Sequence, residues 1–177
     1  LVGSEMCIRD RLIASYALLL HGQGAQRVRA GLHYVVLNLT GSALFLIALG
    51  MVYGASGTLN MADLSLRVAQ ASGDQVPLLA AAGLLLLLVF ALKAALLPLY
   101  FWLPRAYASA SAPVAALFAI MTKVGIYAIL RLATLMFGAG AGELAHLTQA
   151  WLWPLALATV ALGAVGVLAA RSLQMLP

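Results

Sequence analysis

Charge is what this sequence most lacks. Its 177 residues include 10 Lys and Arg and 5 Asp and Glu, so 8% are charged, whereas a soluble domain has about 25%. Hydrophobic residues make up 64% of the chain, and the mean hydropathy is +1.04. So few polar side chains cannot cover a soluble fold, and the composition predicts an integral membrane protein. The net charge of +5 is too sparse for a nucleic-acid-binding patch, so no nucleic-acid partner is expected.

Cysteine and the common catalytic motifs are also missing or nearly so. The one cysteine, Cys7, cannot form an intramolecular disulfide, and no residues have the spacing of a metal-ligand cluster. The sequence has no phosphate-binding glycine loop, paired-cysteine motif, haem motif or Ser-His-Asp set. We therefore expect no cofactor and no metal, and these absences argue against an enzyme active site.

The first eleven residues, LVGSEMCIRDR, differ in character from the rest of the chain. They are polar and charged, and they run into the apolar LIASYALLL without a turn signal. The string resembles the in-frame translation of a transposase sequencing adapter, so we expect residues 1–11 to be an artefact without functional meaning. At the other end, the chain stops at RSLQMLP without a closing helix. We therefore predict that residues 12–177 are an internal fragment of a longer membrane domain.

Four stretches are long enough to cross a bilayer, because about 20 apolar residues span its hydrocarbon core. They are residues 32–53, 76–103, 113–137 and 150–170. Residues 12–20 are too short to span and are predicted to end a preceding helix. The predicted fold is an all-α polytopic membrane protein with about four transmembrane helices plus a partial first one, including a proline-broken helix.

The connections between the spans carry local signals of their own. Residues 21–31 and 104–112 are predicted to be loops, and residues 138–148 a turn-rich connection. In the segment NMADLSLRVAQ, Asn60 is a candidate N-cap and Asp63 lies three residues later, as in a capping box. This segment is therefore predicted to form a short interfacial helix.

The positive charges of the connections indicate an orientation. Arg27, Arg29 and Arg105 fall on one side of the predicted spans. Cytoplasmic loops of membrane proteins carry an excess of Lys and Arg. The loops that contain these residues are therefore predicted to be cytoplasmic, in a multi-pass protein.

The span at residues 76–103 contains both an ionisable side chain and a helix breaker. Lys93 lies deep within it, and an ionisable residue at bilayer depth indicates a functional site. Pro98 is predicted to break the helix and to leave the carbonyl of Ala94 without its helical partner. Desolvation favours the neutral form of an amine, so a lysine in this position can bind and release a proton. The alternative is a structural lysine that only bridges helices.

The next span repeats this pattern with Lys123. If the intervening loop reverses the chain, the two ammonium groups lie at similar depth, and proximity would couple their titrations. Tyr127 lies four residues after Lys123 on the same helical face, so its hydroxyl is predicted to reach the same water chain. Lys93 and Lys123 are therefore the predicted proton-relay residues.

Other polar side chains in the spans are weaker candidates. His33 lies near a span boundary, and the sequence offers it no partner for a proton relay. Asn38 and Ser42 are one helical turn apart and are expected to serve packing or hydration. The apolar spans contain no Asp or Glu, so no counter-ion for Lys93 is visible.

The stretch FALKAALLPLYFWLPRAYASASAPVAALFAIMTKVGIYAILR resembles the antiporter-like membrane subunits of Mrp/Pha-type multisubunit cation/proton antiporters and of respiratory complex I. The segments LIASYALLLHG and AGLHYVVLNLTGSALFLIALGMVYGASGTLNMADL resemble the D subunit of the antiporters in particular. The resemblance covers nearly all of residues 12–176. Arg105 comes directly after the WLP motif, where complex I members usually have an acidic residue, which favours the antiporter side.

The resemblance implies a larger fold of inverted helix repeats, each with a broken helix. The chain would correspond to the end of helix 5 through helix 9. Lys93 would match the lysine of broken helix 7, and Lys123 the lysine of helix 8, both in a hydrated relay. The family's glutamate on helix 5, which pairs with the helix 7 lysine, would fall near Arg9, and Glu5 does not match it.

The leading hypothesis is a proton-translocating subunit of a Na⁺/H⁺ or K⁺/H⁺ antiporter, a secondary transporter subunit in the bacterial inner membrane. Its implied partners are the other antiporter subunits, the lipid bilayer, H⁺, and Na⁺ or K⁺. One alternative is a proton-pumping membrane subunit of NADH:quinone oxidoreductase or a related respiratory complex, which neighbouring genes would reveal. The other alternative is a non-conducting structural scaffold, for which Lys123→Met would leave transport intact.

Overall fold

A computed structural model describes residues 14–17, 25–110, 112–145 and 147–169, and all regular structure within them is helical. Residues 14–17 form one helical turn. The longer α-helices are α1 Ala25–Ser56, α2 Met61–Ala69, α3 Gln75–Ala94, α4 Trp102–Ser109, α5 Ala112–Leu135 and α6 Gln149–Ala169. Short 3₁₀ helices occur at Leu99–Phe101 and Gly142–Leu144.

Four segments are long and apolar enough to cross a membrane, which confirms the predicted all-α polytopic fold. They are Val28–Ser56, Gln75–Pro104, Ala112–Leu135 and Gln149–Leu168. The helical turn at residues 14–17 lies within the predicted partial first helix. The string at residues 1–11 lies outside the described residues.

The loop predicted over residues 21–31 is wrong from Ala25 onwards, because α1 begins there. Ala, Gln and Arg are all good helix formers, so the polar and basic character of this stretch does not prevent a helix. Arg27 and Arg29 consequently lie in the first turns of α1 rather than in a loop.

The loop predicted over residues 104–112 is also wrong, because Trp102–Ser109 forms α4. Pro104 is the third residue of this helix. The first N–H groups of a helix have no intrahelical acceptor, so a proline is tolerated in the first turn. Arg105 therefore lies within a helix.

The short helix predicted around NMADLSLRVAQ is confirmed as α2. Asn60 is its N-cap, and its Oδ1 accepts a hydrogen bond of 3.1 Å from the N–H of Ala62. The Asp63 side chain does not complete a capping box, because it accepts instead from Arg67 Nε at 2.9 Å. Arg67 Nη1 also donates to the Ser56 carbonyl at 2.9 Å, so one side chain ties α2 to the end of α1.

The α3 helix is central, because it packs against α1 on one side and α5 on the other. Its first half is buried in an apolar cluster formed by residues of several helices and of the segment after α5. The cluster includes Ala48, Val52, Leu64, Val68, Leu79, Ala82, Leu86, Leu132, Met136 and Phe137. A Cβ atom at Gly83 would overlap the ring of Phe137, so α3 needs a glycine at this point of close contact.

Candidate functional site

The α3 helix ends at Ala94, four residues before Pro98. Ala95 adopts a left-handed conformation with a φ of 55°, and the N–H of Leu96 donates to the carbonyl of Ala91 at 2.9 Å. This is the hydrogen-bond pattern of a Schellman motif. The left-handed conformation costs a residue other than glycine about 1–2 kcal/mol, so the contacts around the break must hold it.

A break in the helix is therefore present close to Pro98. The helix ends at Ala94, and a proline four residues later has no N–H to donate to the Ala94 carbonyl. Pro98 is exposed, comes after a cis peptide bond and precedes the 3₁₀ helix at Leu99–Phe101.

Protein groups satisfy the backbone at this break. The Leu92 carbonyl accepts a hydrogen bond of 3.1 Å from Trp102 Nε1 of α4. The N–H of Leu97 donates to Thr159 Oγ1 of α6 at 2.9 Å. Irregular backbone is tolerated at membrane depth only where protein or cavity water satisfies it, and two side chains meet that requirement here. Neither Trp102 nor Thr159 was a candidate from the sequence.

Lys93 lies in the last turn of α3, half-buried, and contacts a polar side chain of α1. Its Nζ donates to Oδ1 of Asn38 at 2.7 Å. Asn38 is 7% exposed, and its Nδ2 donates to the backbone carbonyl of Tyr34 at 3.2 Å. This pair was not predicted from the sequence. An amide in the middle of an apolar span is itself a signal, because a buried polar group requires a partner.

A cavity of about 30 Å³ adjoins the pair. A volume of about 10–15 Å³ already admits one water molecule when polar partners are present. Lys93 and Asn38 supply such partners, so the cavity suits water. Its lining residues are Tyr34, Leu37, Asn38, Leu92, Lys93, Trp102, Phe118 and Met121.

The second predicted relay residue, Lys123, lies in a different environment. It is exposed, and no hydrogen bond of its side chain occurs within the described part of the chain. The α5 helix faces the cavity with Phe118 and Met121 instead. Lys93 and Lys123 thus do not meet in one site.

Tyr127 and Arg131 come after Lys123 at intervals of one helical turn and are exposed on the same face. Arg131 Nη1 donates to the Tyr127 hydroxyl at 2.6 Å, and its guanidinium carbon lies 5.9 Å from the tyrosine ring centroid. The Tyr127 hydroxyl therefore interacts with Arg131, and the three side chains form a polar stripe on the outer face of α5.

His33 is exposed on α1 and does not line the cavity. Its ring contacts the edge of Phe101, with the centroids 5.6 Å apart. The structure therefore does not bring His33 to the Lys93–Asn38 pair.

Gly125 permits a close approach between α5 and the end of α3. A Cβ atom at Gly125 would lie 2.8 Å from the backbone nitrogen of Ala94, a distance that real Cβ contacts do not reach. The residue after Lys93 thus packs directly against the backbone of α5. Among the described residues, no group of three or more His, Cys, Asp or Glu is placed to hold a metal ion.

A protein-family model covers most of the chain. The family described as NADH:quinone oxidoreductase/Mrp antiporter, TM matches residues 6–176. This match confirms the resemblance seen in the sequence.

Two curated relatives are D subunits of antiporters. One, from a probable K⁺/H⁺ antiporter of Rhizobium meliloti, is 50% identical over 162 residues, covering 92% of this chain and 30% of the relative. The other, from a Na⁺/H⁺ antiporter of Bacillus subtilis, is 46% identical over 159 residues, covering 89% of this chain and 31% of the relative. The chain thus spans about a third of the length of these relatives.

Two solved structures share the fold. One is the Mrp complex from Dietzia sp., with a TM-score of 0.78 and 30% identity over 93% of this chain and 30% of that chain. The other is the membrane-bound sulfane sulfur reductase, an archaeal respiratory membrane complex, with a TM-score of 0.78 and 29% identity over 93% of this chain and 33% of that chain. The same arrangement of helices therefore occurs in an Mrp complex and in a respiratory complex.

Proposed function

Because the chain belongs to the NADH:quinone oxidoreductase/Mrp antiporter transmembrane family, we propose that it acts within the D subunit of a multisubunit Na⁺/H⁺ or K⁺/H⁺ antiporter. In this role it translocates protons and is a secondary transporter subunit rather than an enzyme. The antiporter names of relatives at 46–50% identity support this assignment.

One observation carries the proposed mechanism, the placement of Lys93 between a helix break and a small cavity. The ammonium group has a neutral amide as its acceptor at 2.7 Å and space for water beside it. No carboxylate lines the cavity among the described residues, and there the ammonium group donates to the neutral amide of Asn38. In this proposal Lys93 releases its proton to water in the cavity and is then reprotonated by another group of the relay.

Lys123 is the second relay residue of the proposal. In this proposal it exchanges its proton on the exposed face of α5 rather than in the Lys93 cavity, and its exposed position supports this. Tyr127 lies one helical turn further on, and its hydroxyl binds water on the same face. His33 is a weaker candidate for the proton relay, because its ring packs against Phe101.

The proposed location is the bacterial inner membrane, where the protein assembles with other antiporter subunits and exchanges H⁺ for Na⁺ or K⁺. The ends of the spans that carry Arg27, Arg29 and Arg105 face the cytoplasm in this proposal. Their positive charge favours that side.

The test is Lys93→Ala in the complete gene product, expressed with its partner subunits. In everted membrane vesicles, the variant is expected to lose cation-driven proton exchange, because the proton-binding amine is gone. Co-purification of the partner subunits checks that the complex still assembles. Normal exchange by an assembled Lys93→Ala complex would refute the proposal.

A proton-pumping subunit of a respiratory complex is the second candidate, supported by the equal TM-score to the archaeal respiratory complex. Neighbouring genes separate the two, because redox subunits with iron–sulfur motifs would favour the respiratory role. A non-conducting scaffold is the third. Lys123→Met keeps the length of the side chain without its charge, so unaltered exchange by this variant would favour the scaffold.

A further inference from the structure

The side-chain amide of Asn38 lies between two groups whose hydrogen-bonding sense is fixed. A lysine ammonium group can only donate, and a backbone carbonyl can only accept. Asn38 therefore directs Oδ1 to Lys93 at 2.7 Å and Nδ2 to the Tyr34 carbonyl at 3.2 Å. The reversed amide would place donor against donor and acceptor against acceptor, so a single orientation satisfies both contacts.

Burial restricts the amide to partners inside the helix bundle. Asn38 is 7% exposed and Tyr34 is 3% exposed. The Tyr34 ring packs against Trp102 and Phe118, with centroid distances of 5.5 and 5.0 Å. The carbonyl that orients Asn38 thus belongs to a residue held by aromatic contacts with α4 and α5.

We propose that Asn38 is the positioning residue of Lys93, holding the ammonium group at the cavity and stabilising its protonated form without accepting the proton. This inference rests on the proposed function, since it concerns the proton exchange of Lys93. A hydrogen bond from a charged donor is roughly twice as strong as one from a neutral donor. Asn38 therefore favours the ammonium over the amine.

The amide also restricts which N–H groups of Lys93 can release a proton. A neutral amide oxygen does not take up a proton near neutral pH, so the N–H that points to Asn38 is not the one transferred. When Lys93 is deprotonated, the proton passes from one of its other N–H groups to a water molecule, which becomes hydronium or relays the proton further. Asn38 thus occupies one donor and leaves the others for the cavity.

Among the described residues, the other groups around Lys93 do not provide a competing charge. The wall is formed by residues of α1, α3, α4 and α5, and its second titratable group is Tyr34. The Tyr34 hydroxyl interacts with the side chains of Asn38 and of Ser15 in the turn at residues 14–17, and Trp102 Nε1 is bonded to the Leu92 carbonyl. The turn at residues 14–17 and α6 bring hydroxyl groups to this end of the bundle, those of Ser15, Tyr16 and Thr159.

The test measures the pH profile of cation-driven exchange in everted vesicles that carry the complete gene product and its partner subunits. Asn38→Leu removes the acceptor at nearly constant volume. The exchange rate at neutral pH is expected to fall about tenfold. The alkaline limb of the profile, in which the rate decreases as the pH rises, is expected to shift to lower pH by about one to two units. The shift is downward because the ammonium form loses a charge-assisted hydrogen bond.

Asn38→Asp provides an opposite and nearly isosteric change. A carboxylate against Lys93 stabilises the ammonium form, so the same limb is expected to move to higher pH. The control is Thr40→Val on the same helix, because the Thr40 hydroxyl donates to the Val36 carbonyl of its own helix, at 2.9 Å. This variant is expected to keep the parent profile.

A purely structural Asn38 gives a different result, because loss of packing lowers the amount of complex or its maximal rate without moving the profile. Unshifted profiles of Asn38→Leu and Asn38→Asp would overturn the inference. The proposed function is judged separately by Lys93→Ala. If Lys93→Ala abolishes exchange while both Asn38 profiles stay unshifted, the positioning role alone is refuted.

Discussion

The two ends of α3 contact the same neighbouring helices but make opposite kinds of interface. At the first end, Leu79, Ala82 and Leu86 are buried among apolar side chains, and Gly83 lies against the Phe137 ring. At the other end, the helix stops in a left-handed residue, and Lys93 lies beside a cavity. One helix thus joins a close-packed apolar region to one where aromatic packing surrounds a buried polar pair and a cavity.

This difference suggests where each end derives its stability. Close-packed apolar contacts are disrupted by the loss of even a few atoms. The break combines aromatic packing around Ala95 with a few hydrogen bonds, and it contains a conformation with a local cost. We therefore expect the loss of a large side chain at the packed end to lower stability more than a substitution at the break.

The largest expected effect comes from removing the side chain that seals the packed end. Phe137 is 0% exposed, so Phe137→Ala is expected to lower the free energy of unfolding by about 3–5 kcal/mol. Thermal unfolding of the complete gene product in detergent measures this loss. The exchange rate per folded molecule is expected to stay near the parent value, because Phe137 does not line the Lys93 cavity.

Phe101→Ala is the matched control, since Phe101 is 44% exposed. Its loss of stability is expected to be clearly smaller. Equal losses in the free energy of unfolding for the two variants would mean that Phe137 is no more closely packed than a surface residue.

A smaller effect is expected where α5 approaches the break. Gly125→Ala places a methyl group 2.8 Å from the Ala94 nitrogen, so α5 must move away from α3. The expected loss is about 1–3 kcal/mol, accompanied by a lower exchange rate because Lys93 is the neighbour of Ala94. Thermal unfolding and vesicle exchange measure the two effects.

Gly163→Ala in α6 is the control for that change, because a Cβ atom at Gly163 meets nothing within 4 Å. It is expected to be neutral or to gain up to about 1 kcal/mol from helix propensity. If Gly125→Ala were also neutral or stabilising, the inferred close contact between α5 and the Ala94 backbone would be wrong.

The smallest expected effect is a gain in stability. Ala95→Gly removes the cost of a left-handed alanine with a φ of 55° and is expected to stabilise the protein by about 0.5–1 kcal/mol. Ala91→Gly, in the regular part of α3, is expected to destabilise it by about 1 kcal/mol. A loss of stability for both variants would show that α3 continues through Ala95.

The spans could be predicted from the sequence because long apolar stretches without charges leave few alternatives to a membrane helix. The end of α3 could not. No glycine or asparagine marks the left-handed position at Ala95, and Pro98 indicated a break nearby without giving the residue at which α3 ends. The helix α4 was missed for a related reason, since Pro104 signals a loop but also fits a first helical turn.

The candidate site was predicted in part. Lys93 stood out because a charged side chain in an apolar span is rare and costly. Its partner Asn38 is 55 residues away in the sequence, and their contact depends on the register between α1 and α3, which no local pattern encodes. Lys123 had the same sequence signature as Lys93, but the rotation of α5 turns Phe118 and Met121 towards the cavity and leaves Lys123 exposed.

The hydrogen bond between the Leu97 N–H and Thr159 has a consequence for the last helix. None of the membrane-spanning window of α6 is buried, yet α6 supplies the acceptor for this amide at 2.9 Å. A displacement that stretches the bond beyond about 3.5 Å leaves the amide without its acceptor. Water or another group must then bind there, so whether this turn is dry or wet depends on one hydroxyl of α6.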